Sequence, residues 1–463
     1  MRGFLELGSA PAVIIVCSAR FRVETPVDGS SARGGDRRAA GDDERAIVTE
    51  REPRLGSGGV VDRTEGFGER LLGVLLDRAH EMPPQLIAPM IAEEVARIGG
   101  RDVSVLLQDY AQEMLVPLPG RGLVVAEPEF MADSPAGTAF LHATAAEILQ
   151  ADGVRMYLPL LDGSDEVGVM ALSLDRVDDD DRRLLRRLAG LVADMLVTKH
   201  AYTDRFFQSR RREPMSVAAE MQWSLLPPLT MSVPQVAVSG AVEPAYSIAG
   251  DSFDYALNDD TLHVAVFDAM GHGLDAATMA TVAVGAYRHA RRAGIVLSRK
   301  YGFMDRAIAE QFGPDHFVTA QLMELDTVTG RLRWVNAGHP APLLIRNHEV
   351  VRQLEGPITL PAGLNDDASQ VSEEQLQRGD RVLCYTDGLI EERDDRGDLF
   401  GEQRLIRCVN AVERARAEEG IRAGALWLSQ TLKQERGGRT SDDATVLLIE
   451  WRGSAADHLA VLE

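Results

Sequence analysis

The chain has 463 residues, two to three times the usual domain length, so two domains with connecting segments are expected. Apolar residues make up 45% and charged residues 26%, which excludes wholesale disorder. Asp and Glu number 71 against 49 Lys and Arg, and the net charge of −22 repels phosphate backbones and anionic lipid, which argues against nucleic acid or a membrane as partner.

Three cysteines (Cys17, Cys384 and Cys408) are too few and too scattered for a disulfide framework or a zinc finger, and suit a reducing cytoplasm. The early apolar run Ala10 to Ala19 is about half the length that spans a bilayer, and no small-residue cleavage site follows it. From residue 21 to about residue 64, Gly, Arg, Asp, Ser and Ala dominate without periodicity, so residues 1–64 read as a disordered leader.

A first domain is expected over residues 65–200. Leu71, Leu72, Leu75 and Leu76 stand at helical spacing, and "DVSVLLQD" reads as a strand. The runs "VRMYLPLL" and "EVGVMALSL", separated by "DGSD", predict a hairpin. Asp178 to Asp181 then open a long helix, where acid in the first turn complements the helix dipole and needs no metal to explain it. Along it Leu184, Leu188, Leu191 and Met195 alternate four-three-four, a seam that predicts a homodimer through paired helices. This stretch resembles a GAF-type sensor, an α+β module, which implies a regulatory signal received here.

Residues 201–230 read as a helical linker or switch. Within it Ser216 to Leu226 form a short helix stopped by Pro227 and Pro228, with Val217, Met221, Leu225 and Leu226 as the apolar face expected to pack near the catalytic pocket. Trp223 reads as a packing residue. Residues 231–453 alternate many strands with a few helices and form the second domain, with 454–463 as a tail.

The chemistry concentrates in "YSIAGDSFDYALNDDTLHVAVFDAMGHG". "SFDYAL" and "TLHVAVF" are strand-like runs, and a two-residue loop at Asp259-Asp260 would set Asp251 opposite Asp268. Directly opposed residues have Cβ atoms roughly 5 Å apart, so such a pair calls for a shared proton or for cations. Asp387, before Gly388, and Asp442 and Asp443, before the run "ATVLLIEW", supply further carboxylates at strand ends. An all-oxygen set suits Mg²⁺ or Mn²⁺, and no Cys or His cluster of zinc type accompanies it.

Taken in order, "AGDSFD", "DAMGHG", "NAGHPAPLL", "YTDGLIEERDDRGDLFG" and "SDDATVLLIEW" resemble the motifs of SpoIIE-type PPM metallophosphatases, the bacterial relatives of protein phosphatase 2C. The resemblance covers roughly residues 215–452 and implies an α+β fold of α-β-β-α type, two antiparallel sheets flanked by helices. It also implies a phosphoserine/phosphothreonine hydrolase using two Mn²⁺ or Mg²⁺ ions. By position, Asp251, Asp268, Asp387 and Asp442 match the family's metal aspartates, and Ala269 matches its main-chain ligand. Asp443 and Glu391 match auxiliary positions. The substrate implied is a phosphorylated protein, of the STAS-type anti-anti-sigma class. Two ions would activate a water and neutralise the phosphoryl oxygens.

The match has departures. Met270 stands where many relatives have the histidine proposed as general acid, so His272 does not simply inherit that role. Ala249 stands where glycine is common. His339 reads as a turn residue and Cys384 as inert core. A nucleotide cyclase, faintly echoed by "AGDSF", would need neither Gly-His-Gly nor Asp387 and Asp442. A catalytically weak scaffold is opposed by the full aspartate set.

Overall fold

The computed structural model describes residues 13–15, 65–79, 81–162, 165–247, 250–364, 369–393, 399–437 and 442–454. Most of the expected leader, Cys17, Ala249, the centre of the "DGSD" turn and all but one residue of the expected tail lie outside them. Among the described residues no helix is long and apolar enough to cross a membrane.

The N-terminal half is a seven-stranded antiparallel sheet with helices on both faces. Its strands are β1 (Val13–Ile15), β2 (Arg101–Gln108), β3 (Met114–Pro117), β4 (Glu129–Phe130), β5 (Ala146–Gln150), β6 (Gly153–Asp162) and β7 (Asp165–Leu174), in the order β1-β5-β6-β7-β2-β3-β4. Asp162 pairs with Asp165, the hairpin read from the sequence. Alternation along β2 sends Val103, Val105 and Leu107 to one core and Leu106 to another. The first core is covered by α1 (Glu65–Ala79), α2 (Ile87–Arg97) and α4 (Asp179–His200). α3 (Pro135–His142) packs on the opposite face.

Helix α4 begins as expected: Asp178 caps the Asp181 amide at 2.9 Å, and Asp181 reciprocates on the Asp178 amide at 3.0 Å. Its seam, however, is not a free surface. Leu184, Leu188, Leu191 and Met195 are all buried in the domain's own core. The four-three-four spacing marks the core-facing stripe of an amphipathic helix, and the ground for a homodimer through this seam falls away.

The C-terminal half follows α5 (Arg205–Arg210) and α6 (Val217–Leu225). One of its two six-stranded sheets holds β10 (Asp251–Asn258), β11 (Thr261–Ala269), β12 (Val318–Asp326), β13 (Arg331–Ala337), β16 (Ile358–Thr359) and β17 (Ser372–Gln375). The other runs β15-β14-β18-β19-β9-β8, built from β8 (Thr230–Ser232), β9 (Val236–Glu243), β14 (Leu343–Arg346), β15 (Glu349–Gln353), β18 (Arg381–Tyr385) and β19 (Ala444–Trp451). Every pairing is antiparallel except the short β13–β16 contact. Val238, Phe253, Val264, Trp334 and Leu447 fill the space between the sheets. Helices α7 (Gly273–Arg292) and α8 (Leu297–Phe312) cover the outer face of the first sheet. Helices α10 (Gly401–Ala415) and α11 (Ile421–Glu435) cover the second, with α9 (Gly388–Glu391) at its end. This is the α-β-β-α sandwich that the motifs implied. Ala423 and Leu426 of α11 also join the core beneath α3, which ties the two halves together.

The buried face of α6 differs from the expected one. Val217 is 67% exposed, while Ala218, Ala219 and Gln222 are buried. Ala218 packs on Ala277 of α7 with Met221 alongside, so small side chains, rather than the larger apolar ones, set the approach of the two helices. Trp223 packs as expected, its indole N–H donating to the Ala245 carbonyl at 2.9 Å.

Candidate metal centre

The hairpin between β10 and β11 turns through Asp259 and Asp260, with Asp259 in the left-handed region at φ 48°. Its register places Asp251 opposite Asp268, the pairing that a two-residue loop requires. Phe253 and Val266, the next opposed pair in that row, belong to the core between the sheets, so both aspartates open at the end of that core. Asp251 is fully buried and Asp268 half-buried.

The second sheet brings the remaining carboxylates. The Thr386 hydroxyl donates to Asp251 Oδ2 at 2.6 Å, and its oxygen accepts from the Thr445 amide at 2.9 Å. Thr386 therefore joins β10 to the ends of β18 and β19. Asp387 follows it, at the start of α9. A Cβ on Gly388 would lie 1.9 Å from the Asp443 carbonyl oxygen, so only glycine lets α9 approach the Asp442-Asp443 strand end this closely. Asp443 is buried and accepts the Asp251 amide on Oδ2 at 3.1 Å. Asp442 is exposed, with Oδ1 accepting from the Asp443 amide at 2.9 Å. Ala269, buried at the end of β11, donates its amide to Gly250. Glu391 is exposed one helical turn beyond Asp387.

The electrostatics follow from burial and crowding. Burial, then the charges of Asp251, Asp387 and Asp442, push the Asp268 carboxyl up to about 9. Burial, with Asp442 and Asp268 nearby, lifts Asp443 to about 7 against the pull of backbone donors. Asp251 is raised well above the usual range by burial and Asp443, and Asp387 is raised by burial, Glu391 and Asp442. Among the described residues no Lys or Arg is one of the main causes of these shifts. Asp268 and Asp387 lie close enough that each alters the proton affinity of the other.

The cluster is made only of hard oxygen donors. Among the described residues no group of three or more His, Cys, Asp or Glu side chains is arranged to hold a metal ion. The fit to Mg²⁺ or Mn²⁺ rests on donor type, on uncompensated charge and on Asp443 Oδ1, a buried oxygen with no hydrogen-bond partner.

Two contributors stand outside the aspartate motifs. Thr386 is one, although its place before Asp-Gly in "YTDG" marks it. Gln222 of α6 is the other: buried, it donates Nε2 to the Asp251 carbonyl at 2.8 Å and so reaches the cluster from outside the sandwich. His272 is exposed at the start of α7 and makes no capping bond through its side chain, and Met270 is also exposed. His339 is a turn residue, closed by Asn336 through both its amide and its carbonyl, and burial holds its ring near 4. Burial pushes the Cys384 thiol up to about 12, consistent with inert core.

Residues 258–452 match the family profile described as Stage II sporulation protein E (SpoIIE). The chain is 26% identical over 192 residues to phosphoserine phosphatase RsbP of Bacillus subtilis (strain 168), covering 40% of this chain and 47% of that protein. It is 23% identical over 218 residues to phosphoserine phosphatase RsbU of the same organism, covering 46% of this chain and 65% of that one. It therefore spans less than two thirds of either relative. Among solved structures, the SiaA-PP2C domain of Pseudomonas aeruginosa shares 23% identity, with a TM-score of 0.42 over 50% of this chain and 94% of that one.

Proposed function

Because the C-terminal part of this chain is a SpoIIE-family domain of the PPM type, we propose that it is a metal-dependent serine/threonine protein phosphatase. The observation that supports this most directly is the meeting of Asp251, Asp268, Asp387, Asp442 and Asp443, with no basic side chain of the described residues among the main influences on them. Asp251, Asp268, Asp387 and Asp442, with the Ala269 carbonyl, would hold two Mn²⁺ or Mg²⁺ ions, and Asp443 would support them. Ions held there supply a water of lowered pKa and positive charge for the phosphoryl oxygens.

The chain's own residues do the positioning. Thr386 fixes one Asp251 oxygen, Asp443 fixes the Asp251 amide, and Gln222 fixes its carbonyl. Asp251 is thereby held in one orientation from three sides. Asp268 and Asp387, which perturb one another, present their charge to the same space. The exposed edge at Asp442 and Glu391 leaves the cluster open to a protein side chain.

The proposed substrate is a phosphoserine or phosphothreonine of a partner protein, of the STAS-type anti-anti-sigma class. Two relatives named phosphoserine phosphatases support a phosphoserine substrate. The N-terminal half is proposed to be a GAF-like regulatory domain. Hydrolysis of p-nitrophenyl phosphate is the first test: activity that requires Mn²⁺ or Mg²⁺ and vanishes on chelation is expected. A folded, metal-supplemented protein with no such activity would leave only the scaffold reading.

A further inference from the structure

The turn that follows β13 leaves one side chain unexplained. Asn336 closes it by bonding both the amide and the carbonyl of His339, each at 2.8 Å. Gly338, at φ 69°, reverses the chain where a Cβ would lie 2.7 Å from Pro361. Neither contact uses the imidazole. Yet His339 is only 4% exposed, and a polar ring is costly to bury unless it is bonded.

The ring is bonded, and to a residue beside the carboxylates. Its Nδ1 shares a hydrogen bond with the Thr319 hydroxyl at 2.8 Å. Strand β12 pairs Thr319 directly with Asp268, so both side chains leave the sheet on one face with Cβ atoms roughly 5 Å apart. The backbone of Tyr385, the last residue of β18, opposes the effect of burial on the same ring. Tyr385 precedes Thr386, which bonds to Asp251, and Asp387 follows. The imidazole therefore stands between the strand that flanks Asp268 and the strand that delivers Thr386 and Asp387. Burial keeps it neutral at neutral pH, so it adds no charge to the acidic cluster.

We propose that His339 is a positioning residue of the metal centre, acting through Thr319 to hold the Asp268 side of the first sheet at a fixed spacing from the Thr386-Asp387 end of the second. A planar ring that meets both sheets sets that spacing, whereas the turn itself needs only Asn336 and Gly338. Contacts behind the ligands orient them and are felt as metal affinity. The inference rests on the phosphatase reading, because it needs ions at the carboxylates.

The test is calorimetric titration of Mn²⁺ into the chelator-treated full chain. Thr319→Val keeps the side-chain shape and removes the hydroxyl, and His339→Phe keeps a ring without its nitrogens. Each should raise the Kd for Mn²⁺ by about tenfold, while Thr319→Ser should stay within about threefold of wild type. The double variant Thr319→Val/His339→Phe should lose no more than either single one, because the two groups act as a unit. Hydrolysis of p-nitrophenyl phosphate lost at limiting Mn²⁺ should return as the ion is raised. Circular dichroism melting checks each fold, and Thr319, half-buried on its strand, carries the test if His339→Phe does not fold. Unchanged Mn²⁺ affinity in Thr319→Val, or losses that multiply in the double variant, would overturn the inference while leaving the phosphatase reading intact. A wild-type chain that binds no Mn²⁺ and hydrolyses nothing would remove that reading, and this inference with it.

Discussion

Two aspartates three residues apart on β10 meet opposite fates. Asp254 is buried and paired with Arg288 at 2.7 Å and Arg291 at 2.5 Å, both from α7. Asp251 is buried to the same degree and faces other carboxyls. Odd and even positions of a strand face opposite ways, so Asp254 points to the helical layer and Asp251 to the space between the sheets. One environment brings its own cations with the fold. The other concentrates negative charge that the described residues leave unbalanced, which is the physical signature of a site that binds its counter-ions from solution.

The largest expected effect tests the unbalanced side. Asp268→Ala should reduce Mn²⁺-dependent hydrolysis to background, because it removes the carboxylate that Asp251, Asp387 and Asp442 all perturb. Asp251→Ala, Asp387→Ala and Asp442→Ala should each lower kcat/KM by at least about a hundredfold, the upper end of what disturbing a metal site costs. Near-normal turnover of Asp268→Ala at saturating Mn²⁺ would refute the assignment. On the balanced side the expectation reverses: Asp254→Ala should leave the turnover of folded protein near normal. It should cost about 3–5 kcal/mol of stability by stranding two arginines, measurable by denaturant unfolding.

A pH series sharpens the contrast. Free aspartates lose their protons near pH 4, but in the metal-free fold Asp443 holds its proton to about 7 and Asp268 to about 9. Between those limits the folded chain binds more protons than the unfolded one, so stability falls as pH rises. The melting temperature of chelator-treated protein should therefore decline from about pH 5 to about pH 9. Asp268→Asn should flatten the decline, and Mn²⁺ added at the alkaline end should reverse it. A metal-free protein equally stable across that range would show the carboxyls to be ordinary.

How much of this was legible in the sequence depended on how local the determining contact was. The Asp251–Asp268 pairing could be read because a two-residue loop admits one register and both partners lie on one hairpin. Thr386 and Gln222 could not be read this way, since each reaches Asp251 from a different layer of the fold. The α4 seam was misjudged because a coiled-coil stripe and a core-facing stripe share the same spacing, and only the sheet beneath it decides. On α6 the apolar pattern put Val217 on the buried face, where the fold leaves it exposed, although Met221 does pack at α7 and Leu226 on the core between the sheets. Close approach to α7 selected alanine instead.

Gln222 offers a smaller effect that still separates the two sides of β10. Its bond to the Asp251 carbonyl fixes the backbone of a residue whose side chain serves the cluster. Gln222→Ala should weaken Mn²⁺ binding by roughly tenfold, in the range for outer contacts of a metal site, with kcat at saturating metal little changed. Calorimetric titration of Mn²⁺ is the direct measurement, and an unaltered affinity would reduce Gln222 to packing.

The smallest effect is expected at His272. A general acid contributes about 10²–10⁴-fold, so its removal would be conspicuous. His272 is exposed, stands in extended backbone at φ −146° and caps nothing with its ring. The turn around it is set by its neighbours, Gly271 at φ 92° and Gly273 at φ 73°, which hold conformations that other residues adopt only under strain. His272→Ala should therefore keep kcat within about threefold of wild type and leave the pH–rate profile unmoved. Gly273→Ala should do more harm by straining the entry to α7, at a cost of about 1 kcal/mol or more. The two variants together separate a proton donor from a turn. A hundredfold loss in His272→Ala, with one limb of the pH profile gone, would restore the histidine to the chemistry despite Met270 standing at the usual offset.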